Sequence, residues 1–259
     1  MASRTLIHPV RSENTLCVEP PLFLSTQFMT KSRYFRYIII MVTFVIYCAI
    51  GIINLASAFF FKEGIRKFSK ICLMPALLVF YLLGTDQTLF PVIAALLFSW
   101  AGDILLINKD KQIFFKSGLA AFLVSHIFYI IAFVFLAGRI NMPALVISAV
   151  IAVPVTLVIL KMLNASPPMK IPVAAYAVVI MLMSIAALQL MLAGLSFAGH
   201  NQMPGIFIFA ASLVYLFSDT CMAYLLFHGK PRYFNVITMI PYIIAQGGIV
   251  MGLVLGWKF

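Results

Sequence analysis

The chain of 259 residues is 64% hydrophobic and 10% charged, and it carries a formal net charge of +11. A soluble domain has about 25% charged residues, so this composition excludes an ordinary soluble protein. The apolar residues form continuous runs and do not alternate with polar ones, which excludes a transmembrane β-barrel. The basic residues lie in short connections between the runs, where they meet anionic lipid headgroups, and nucleic acid is not expected as a partner.

The first 36 residues differ from the rest, since they are polar, contain proline and show no periodic pattern. We expect residues 1–36 to be a disordered N-terminal tail, and Met29 is an alternative start. No apolar core with a small-residue cleavage site precedes the first apolar run, so the segment is not expected to be a signal peptide.

The apolar runs that follow predict an all-α fold, a polytopic transmembrane helical bundle of about eight spans. Each span needs roughly 20 apolar residues, and Gly, Pro, Asn and basic residues mark the connections. The predicted spans, in chain order, are residues 37–58, 69–84, 88–107, 114–137, 143–162, 171–194, 205–227 and 235–256. Because the connections are short, residues 37–259 are predicted to form a single membrane domain.

The basic residues also predict the orientation of the helices. Eleven of the 18 Lys and Arg residues lie at the connections that follow spans 1, 3, 5 and 7. By the positive-inside rule these connections face the cytoplasm, and both termini are then non-cytoplasmic. Lys31, Arg33 and Arg36, next to the first span, oppose this orientation.

Of the seven carboxylates, only Asp103 in the third span and Asp219 in the seventh lie inside long apolar runs. A charged group in hydrocarbon costs roughly 3 to 10 kcal/mol or more, so both are candidates for function. No Lys or Arg lies deep in any predicted span, and a structural ion pair is therefore not expected. Both acids lie in the second halves of spans that run in the same direction, so they are predicted to converge near the basic, cytoplasmic face.

Other polar residues share helical faces in the same spans. Ser99 is one turn from Asp103, and Gly102 allows close approach of another helix. The remaining faces contain Ser125, His126 and Tyr129 in span 4, Tyr215 and Ser218 in span 7, and Tyr242 and Gln246 in span 8. Intramembrane Ser, Tyr and Gln usually form hydrogen bonds between helices. The depth of His126 permits a cluster with both acids, although a lone buried histidine is more often a core residue.

Cysteine and histidine residues show no pattern of a redox or metal centre. The four cysteines are scattered without a CxxC motif and are expected to fill the core. Of the four histidines only His126 lies inside a span, whereas a zinc hydrolase needs about three His, Cys or acidic ligands. We therefore expect neither a metal nor a cofactor.

Four segments carry a resemblance to a known family. They are SWAGDILLI (99–107), FFKSGLAAFLVSHIFYIIAF (114–133), YLFSDTCMAYLLF (215–227) and PYIIAQGGI (241–249). In this order, and in spans 3, 4, 7 and 8, they resemble the lysoplasmalogenase family of integral membrane proteins, the YhhN-like proteins. The resemblance covers residues 37–256 and implies eight spans, in agreement with the number of apolar runs.

The resemblance also implies an activity. Characterised members of that family hydrolyse the vinyl ether bond of lysoplasmalogens, which gives a fatty aldehyde and a glycerophospho-ethanolamine or -choline. The aspartates of the family's Gly-Asp and Ser-Asp motifs are its proposed catalytic pair, and they match Asp103 and Asp219. The expected partners are thus a lysophospholipid substrate and membrane lipid, and protein partners are unknown.

Two carboxyl groups suit this reaction. Protonation of the β-carbon of the vinyl ether gives an oxocarbenium ion, water adds to it, and the hemiacetal collapses to aldehyde and alcohol. One carboxyl group acts as the acid and the other as the base, as in other hydrolyses through oxocarbenium-like states. The sequence leaves open which aspartate has which role. Ser218 or Tyr215 is expected to donate to the ionised carboxylate, His126 to orient one acid, and Lys116 or Lys109 to meet the phosphate.

Two other classes of function fit the same acids. A proton-coupled transporter of small molecules or lipids also places acids in the membrane, and Pro75, Pro91, Pro154 and Pro172 are candidates for helix breaks. No internal repeat or pair of broken helices supports this reading. In a non-catalytic lipid-binding or scaffold protein the acids would only specify helix packing.

Overall fold

The computed structural model describes the backbone of residues 22–108, 111–196 and 203–256, and the side chains of residues 37–108, 111–194 and 203–256. Eight α-helices and one short 3₁₀ turn, Leu106–Asn108, account for the regular structure of these residues. The helices are α1 Leu22–Phe59, α2 Glu63–Gly84, α3 Phe90–Leu105, α4 Gln112–Ala137, α5 Met142–Leu163, α6 Pro167–Ser196, α7 Met203–His228 and α8 Phe234–Gly256.

All eight helices are long and apolar enough to cross a membrane, with α1 counted from Tyr37. The predicted all-α, multi-pass membrane fold is confirmed. The prediction placed the start of the second span at residue 69, whereas α2 begins at Glu63. The segment before residue 69 has the charged residues of a connection, but it contains no proline, and an acid in the first turn favours a helix N-terminus.

The first helix begins inside the segment predicted to be disordered. Residues 22–36 are helical in α1, because no proline or glycine interrupts the chain between Leu22 and Gly51. Residues 1–21 lie outside the described residues. The chain divides between Ile39 and Ile40 into two compact units, and α2 to α8 belong to the second.

Within the second unit, six helices are arranged in a closed ring. Each packs on the next in the order α2, α3, α4, α6, α7 and α8, and α8 packs back on α2. Of the eight candidate spans, α8 is the most buried and α5 the least, and α5 packs outside the ring against α6 and α7. From Ile40 onward α1 also contributes a contact, since the Tyr47 hydroxyl donates to the carbonyl of Ile243 in α8 at 2.8 Å.

Prolines inside the helices do not break them. Pro75, Pro154, Pro172 and Pro241 lie within α2, α5, α6 and α8, and each helix is assigned without interruption across its proline. Neighbouring helices in a membrane tolerate such prolines by supplying alternative partners for the freed backbone groups. The paired broken helices of a transporter are therefore not present among the described residues.

Close packing of α7 and α8 depends on Gly252. A Cβ atom at this position would lie 2.5 Å from Ile208 Cγ1 and 3.0 Å from the carbonyl oxygen of Pro204. We expect Gly252→Ala to lower the free energy of unfolding by about 1–3 kcal/mol, as overpacking does. The check is the melting temperature in detergent, with Gly64→Ala as the matched control, because a Cβ at Gly64 meets nothing within 4 Å. Equal melting temperatures for the two variants would contradict this packing.

Candidate active site

Polar side chains from all six ring helices are buried inside the ring. They are Lys70 of α2, Ser99 and Asp103 of α3, Ser125, His126 and Tyr129 of α4, Tyr176 of α6, Ser212, Tyr215, Ser218 and Asp219 of α7, and Tyr242 and Gln246 of α8. Because buried polar groups need partners, the contacts of these residues separate those that stabilise the fold from those that are available for chemistry.

Asp103 has two partners from other helices. Its side chain is 1% exposed, the Tyr242 hydroxyl donates to Oδ2 at 2.7 Å, and Lys70 Nζ lies 3.3 Å from Oδ1. The close approach of α4 to this position depends on Gly102, where a Cβ would meet the Phe122 ring at 2.6 Å. The predicted role of Gly102 in helix approach is thus confirmed.

The ion pair between Lys70 and Asp103 corrects the expectation that no basic partner is available. The Lys70 side chain is 12% exposed and lies two turns inside α2. The charged residues before Lys70 favour a connection in the sequence, whereas the structure has them in the first turns of α2. The signal in the sequence is the spacing of Arg66 and Lys70, which puts two basic side chains one turn apart on one helical face.

Asp219 has a different environment. The residue is 9% exposed, and its Oδ2 accepts a hydrogen bond from the Tyr176 hydroxyl of α6. Among the described residues no Lys or Arg forms an ion pair with it. Ser218 Oγ instead donates to the Thr238 carbonyl at 3.4 Å, and Tyr215 accepts from Gln246. Among the described residues Tyr242 and Tyr176 donate to the two carboxylates, so the prediction that Ser218 or Tyr215 does so is wrong.

Both acids border one cavity of about 40 Å³. Arg66 and Lys70 border it from α2, and Ser218, Thr238 and Tyr242 add hydroxyl groups. A cavity needs roughly 10–15 Å³ to hold a water molecule, so water fits beside both carboxylates. The predicted convergence of Asp103 and Asp219 on one site is confirmed, and the cytoplasmic position of that site stays a prediction. We call this space the polar cavity.

A second cavity of about 30 Å³ adjoins the polar cavity. The two share Phe115, Leu119, Tyr176, Asp219 and Met222 in their walls. Beyond these, the second cavity is bordered almost entirely by apolar residues of α5, α6 and α7: Ile159, Leu163, Val173, Ala177, Ile180, Leu216, Thr220 and Ala223. Asp219 thus lies where a polar and an apolar space meet. We call this second space the apolar cavity.

Several predicted supporting residues form a network away from both cavities. Gln246 Nε2 donates to Ser99 at 3.0 Å and to Tyr215 at 2.8 Å, and its Oε1 accepts from Tyr129 at 2.9 Å. Ser125 is linked to Ser99 at 2.8 Å. This network joins α3, α4, α7 and α8, which is the usual role of intramembrane amides and hydroxyls.

His126 lies between two tyrosine rings. Its ring centroid is 4.7 Å from that of Tyr215 and 5.4 Å from that of Tyr176, and Nδ1 faces the Phe122 carbonyl oxygen. Since a carbonyl only accepts, Nδ1 carries the hydrogen and Nε2 has a free lone pair, for which the described residues provide no donor. His126 thus contacts Tyr176, which donates to Asp219, and its orienting role stays a prediction.

Of the two lysines expected at the phosphate, the structure describes only Lys116. Lys116 is half-buried at the start of α4 and is not part of the cavity wall, and Lys109 lies outside the described residues. The basic residues that border the polar cavity are Arg66 and Lys70. Within the described side chains no three His, Cys, Asp or Glu residues are grouped as metal ligands would be.

The fold and these contacts define a class: a multi-pass helical membrane protein with two intramembrane carboxylates at one buried cavity. The chain matches the model of the YhhN family over residues 65–253. It belongs to the YhhN family, since this match covers most of the chain and overlaps every helix of the ring. No curated protein and no solved structure matches it.

Proposed function

We propose that this protein is a hydrolase that cleaves the vinyl ether bond of lysoplasmalogens within the membrane. The observation that carries the proposal is the position of Asp103 and Asp219, which come from different helices and border the same cavity. Membership of the YhhN family supports it, because the resemblance to lysoplasmalogenases rests on the motifs that contain these two acids.

The reaction requires a proton donor and a base. The donor transfers a proton to the β-carbon of the vinyl ether, and the positive charge then lies on the adjacent carbon and the ether oxygen. A water molecule adds to that carbon and loses a proton to the base. The hemiacetal then breaks its carbon–oxygen bond, releasing the fatty aldehyde and the glycerol hydroxyl. A pair of carboxyl groups in different environments performs both tasks.

The surroundings of the two acids differ in the way that this division needs. Asp103 lies beside the Lys70 ammonium group, which favours the carboxylate form and so suits the base. Asp219 has a neutral phenol as its partner and borders the apolar cavity, where the hydrocarbon side of the vinyl ether would lie. We assign the proton donor to Asp219 and the base to Asp103.

The products distinguish this activity from related ones. Purified protein incubated with a lysoplasmalogen and an acyl lysophospholipid should release fatty aldehyde from the first and no fatty acid from the second, because the reaction starts by protonation of an alkene carbon, which an ester does not have. Mass spectrometry of both products is the measurement. Fatty acid release would indicate an esterase, and transport of lipid in proteoliposomes without any product would favour the transporter.

A further inference from the structure

Arg66 and Lys70 form a basic site inside the bundle. Their side chains are 11% and 12% exposed, and both border the polar cavity. Arg66 is paired with Glu63, with N···O distances of 3.2 and 2.5 Å, and the Glu63 side chain is 55% exposed. Lys70 is already paired with the buried Asp103, whereas the partner of Arg66 is an exposed carboxylate that a phosphate can replace. A planar guanidinium binds phosphate through paired hydrogen bonds, so Arg66 is the main candidate for the phosphate contact and Lys70 adds positive charge beside it.

The apolar cavity lies on the other side of Asp219 and Tyr176. Its wall of leucine, isoleucine, valine and alanine residues offers a hydrocarbon chain nothing but apolar contacts apart from Asp219, Tyr176 and Thr220. Both cavities are smaller than a lipid, so binding requires the side chains of the shared wall to move apart. Met222 is in that wall, and an unbranched methionine changes conformation readily.

We propose that a single-chain phospholipid binds across this junction, with its phosphate at Arg66 and Lys70 and its chain in the apolar cavity. This orientation of the lipid rests on the proposed function and adds a position for the substrate, because the bond between glycerol and chain then lies at Asp219.

Binding without turnover tests the phosphate site. The probe is a saturated alkyl ether lysophospholipid, which has no vinyl ether to cleave, compared with an alkylglycerol of the same chain that lacks phosphate. Arg66→Gln should weaken binding of the phospholipid at least about tenfold and should weaken binding of the alkylglycerol much less. Glu63→Gln, which removes the competing carboxylate from Arg66, should strengthen phospholipid binding. Lys161→Gln, an exposed change at the end of α5, is the control.

Two results would overturn the orientation. If Arg66→Gln weakened the binding of both probes equally, the phosphate would not bind at Arg66. If only Lys116→Gln weakened binding of the phospholipid selectively, the phosphate would bind at α4. The chain is tested with Ala177→Leu, which narrows the apolar cavity. This variant should weaken binding of long-chain probes more than short-chain ones, and an unchanged length dependence would exclude the apolar cavity.

The outcome is separable from that of the proposed function. If wild-type protein binds the saturated probes as expected but releases no aldehyde from lysoplasmalogen, the binding site stands and the hydrolase proposal fails. If the wild type releases aldehyde but Arg66→Gln changes the binding of both probes equally, the hydrolase proposal stands and the proposed orientation of the lipid fails.

Discussion

Aldehyde release from lysoplasmalogen should fall at least about a hundredfold in Asp219→Asn and in Asp103→Asn. Asparagine keeps the shape of each side chain but neither donates nor accepts a proton at neutral pH, and a positioned acid or base contributes about 10² to 10⁴ to a rate. The measurement is kcat for purified protein whose helical content and melting temperature match those of the wild type. Near-normal turnover by either folded variant would remove the two-carboxylate mechanism.

Asp86→Asn is the matched control for this pair. Asp86 lies in the exposed connection between α2 and α3 and borders neither the polar nor the apolar cavity, so the same chemical change should leave turnover unaltered. A comparable loss in this variant would mean that the effect of the other two does not come from the cavity.

The division of roles has its own measurement. If Asp219 holds the transferable proton, the infrared carbonyl band of a neutral carboxyl group should be present in the wild type and in Asp103→Asn, and absent in Asp219→Asn. The opposite pattern would exchange the roles of acid and base while leaving the pair itself in place. Because the spectrum needs no substrate, it is independent of whether the enzyme turns over.

The spans could be predicted from the sequence because hydrocarbon imposes a simple rule. An apolar run of about 20 residues between connections is sufficient for a helix that crosses the membrane. The rule fails at the ends, where charged residues are compatible with both helix and connection. For this reason the predicted start of the second span, residue 69, differs from the observed start of α2 at Glu63. The burial of Lys70 inside the bundle could not be predicted for the same reason.

The two acids could also be predicted, because charge inside an apolar run is costly and therefore rare. The hydrogen-bond partners of these acids could not be predicted. Tyr176 is a single aromatic residue in the apolar run of α6, without a polar neighbour at helical spacing, and only the packing of α6 against α7 brings it to Asp219. Gln246 and Tyr129 are polar residues in apolar runs, which in the sequence is compatible with a binding site. In the structure Tyr129 donates to Gln246, and both belong to the network that joins the helices.

Removal of Lys70 should destabilise the protein strongly. Asp103 is 1% exposed, and loss of one member of a buried ion pair leaves an uncompensated charge, which costs about 3–5 kcal/mol. Lys70→Met should therefore lower the melting temperature, and Lys70→Arg, which keeps the cation, should lower it less. The measurement is thermal or denaturant unfolding in one detergent for all variants.

The double variant Lys70→Met with Asp103→Asn separates a structural pair from a catalytic one. Removing the carboxylate abolishes the uncompensated charge, so the double variant should be more stable than Lys70→Met alone, with a coupling that a double-mutant cycle measures. Stability additive over the two changes would contradict the ion pair. If the pair served packing alone, the stabilised double variant would release aldehyde at the wild-type rate. Because Asp103 is the proposed base, we expect the double variant to be folded and inactive, and Lys70→Arg, which keeps both the cation and the carboxylate, to retain aldehyde release.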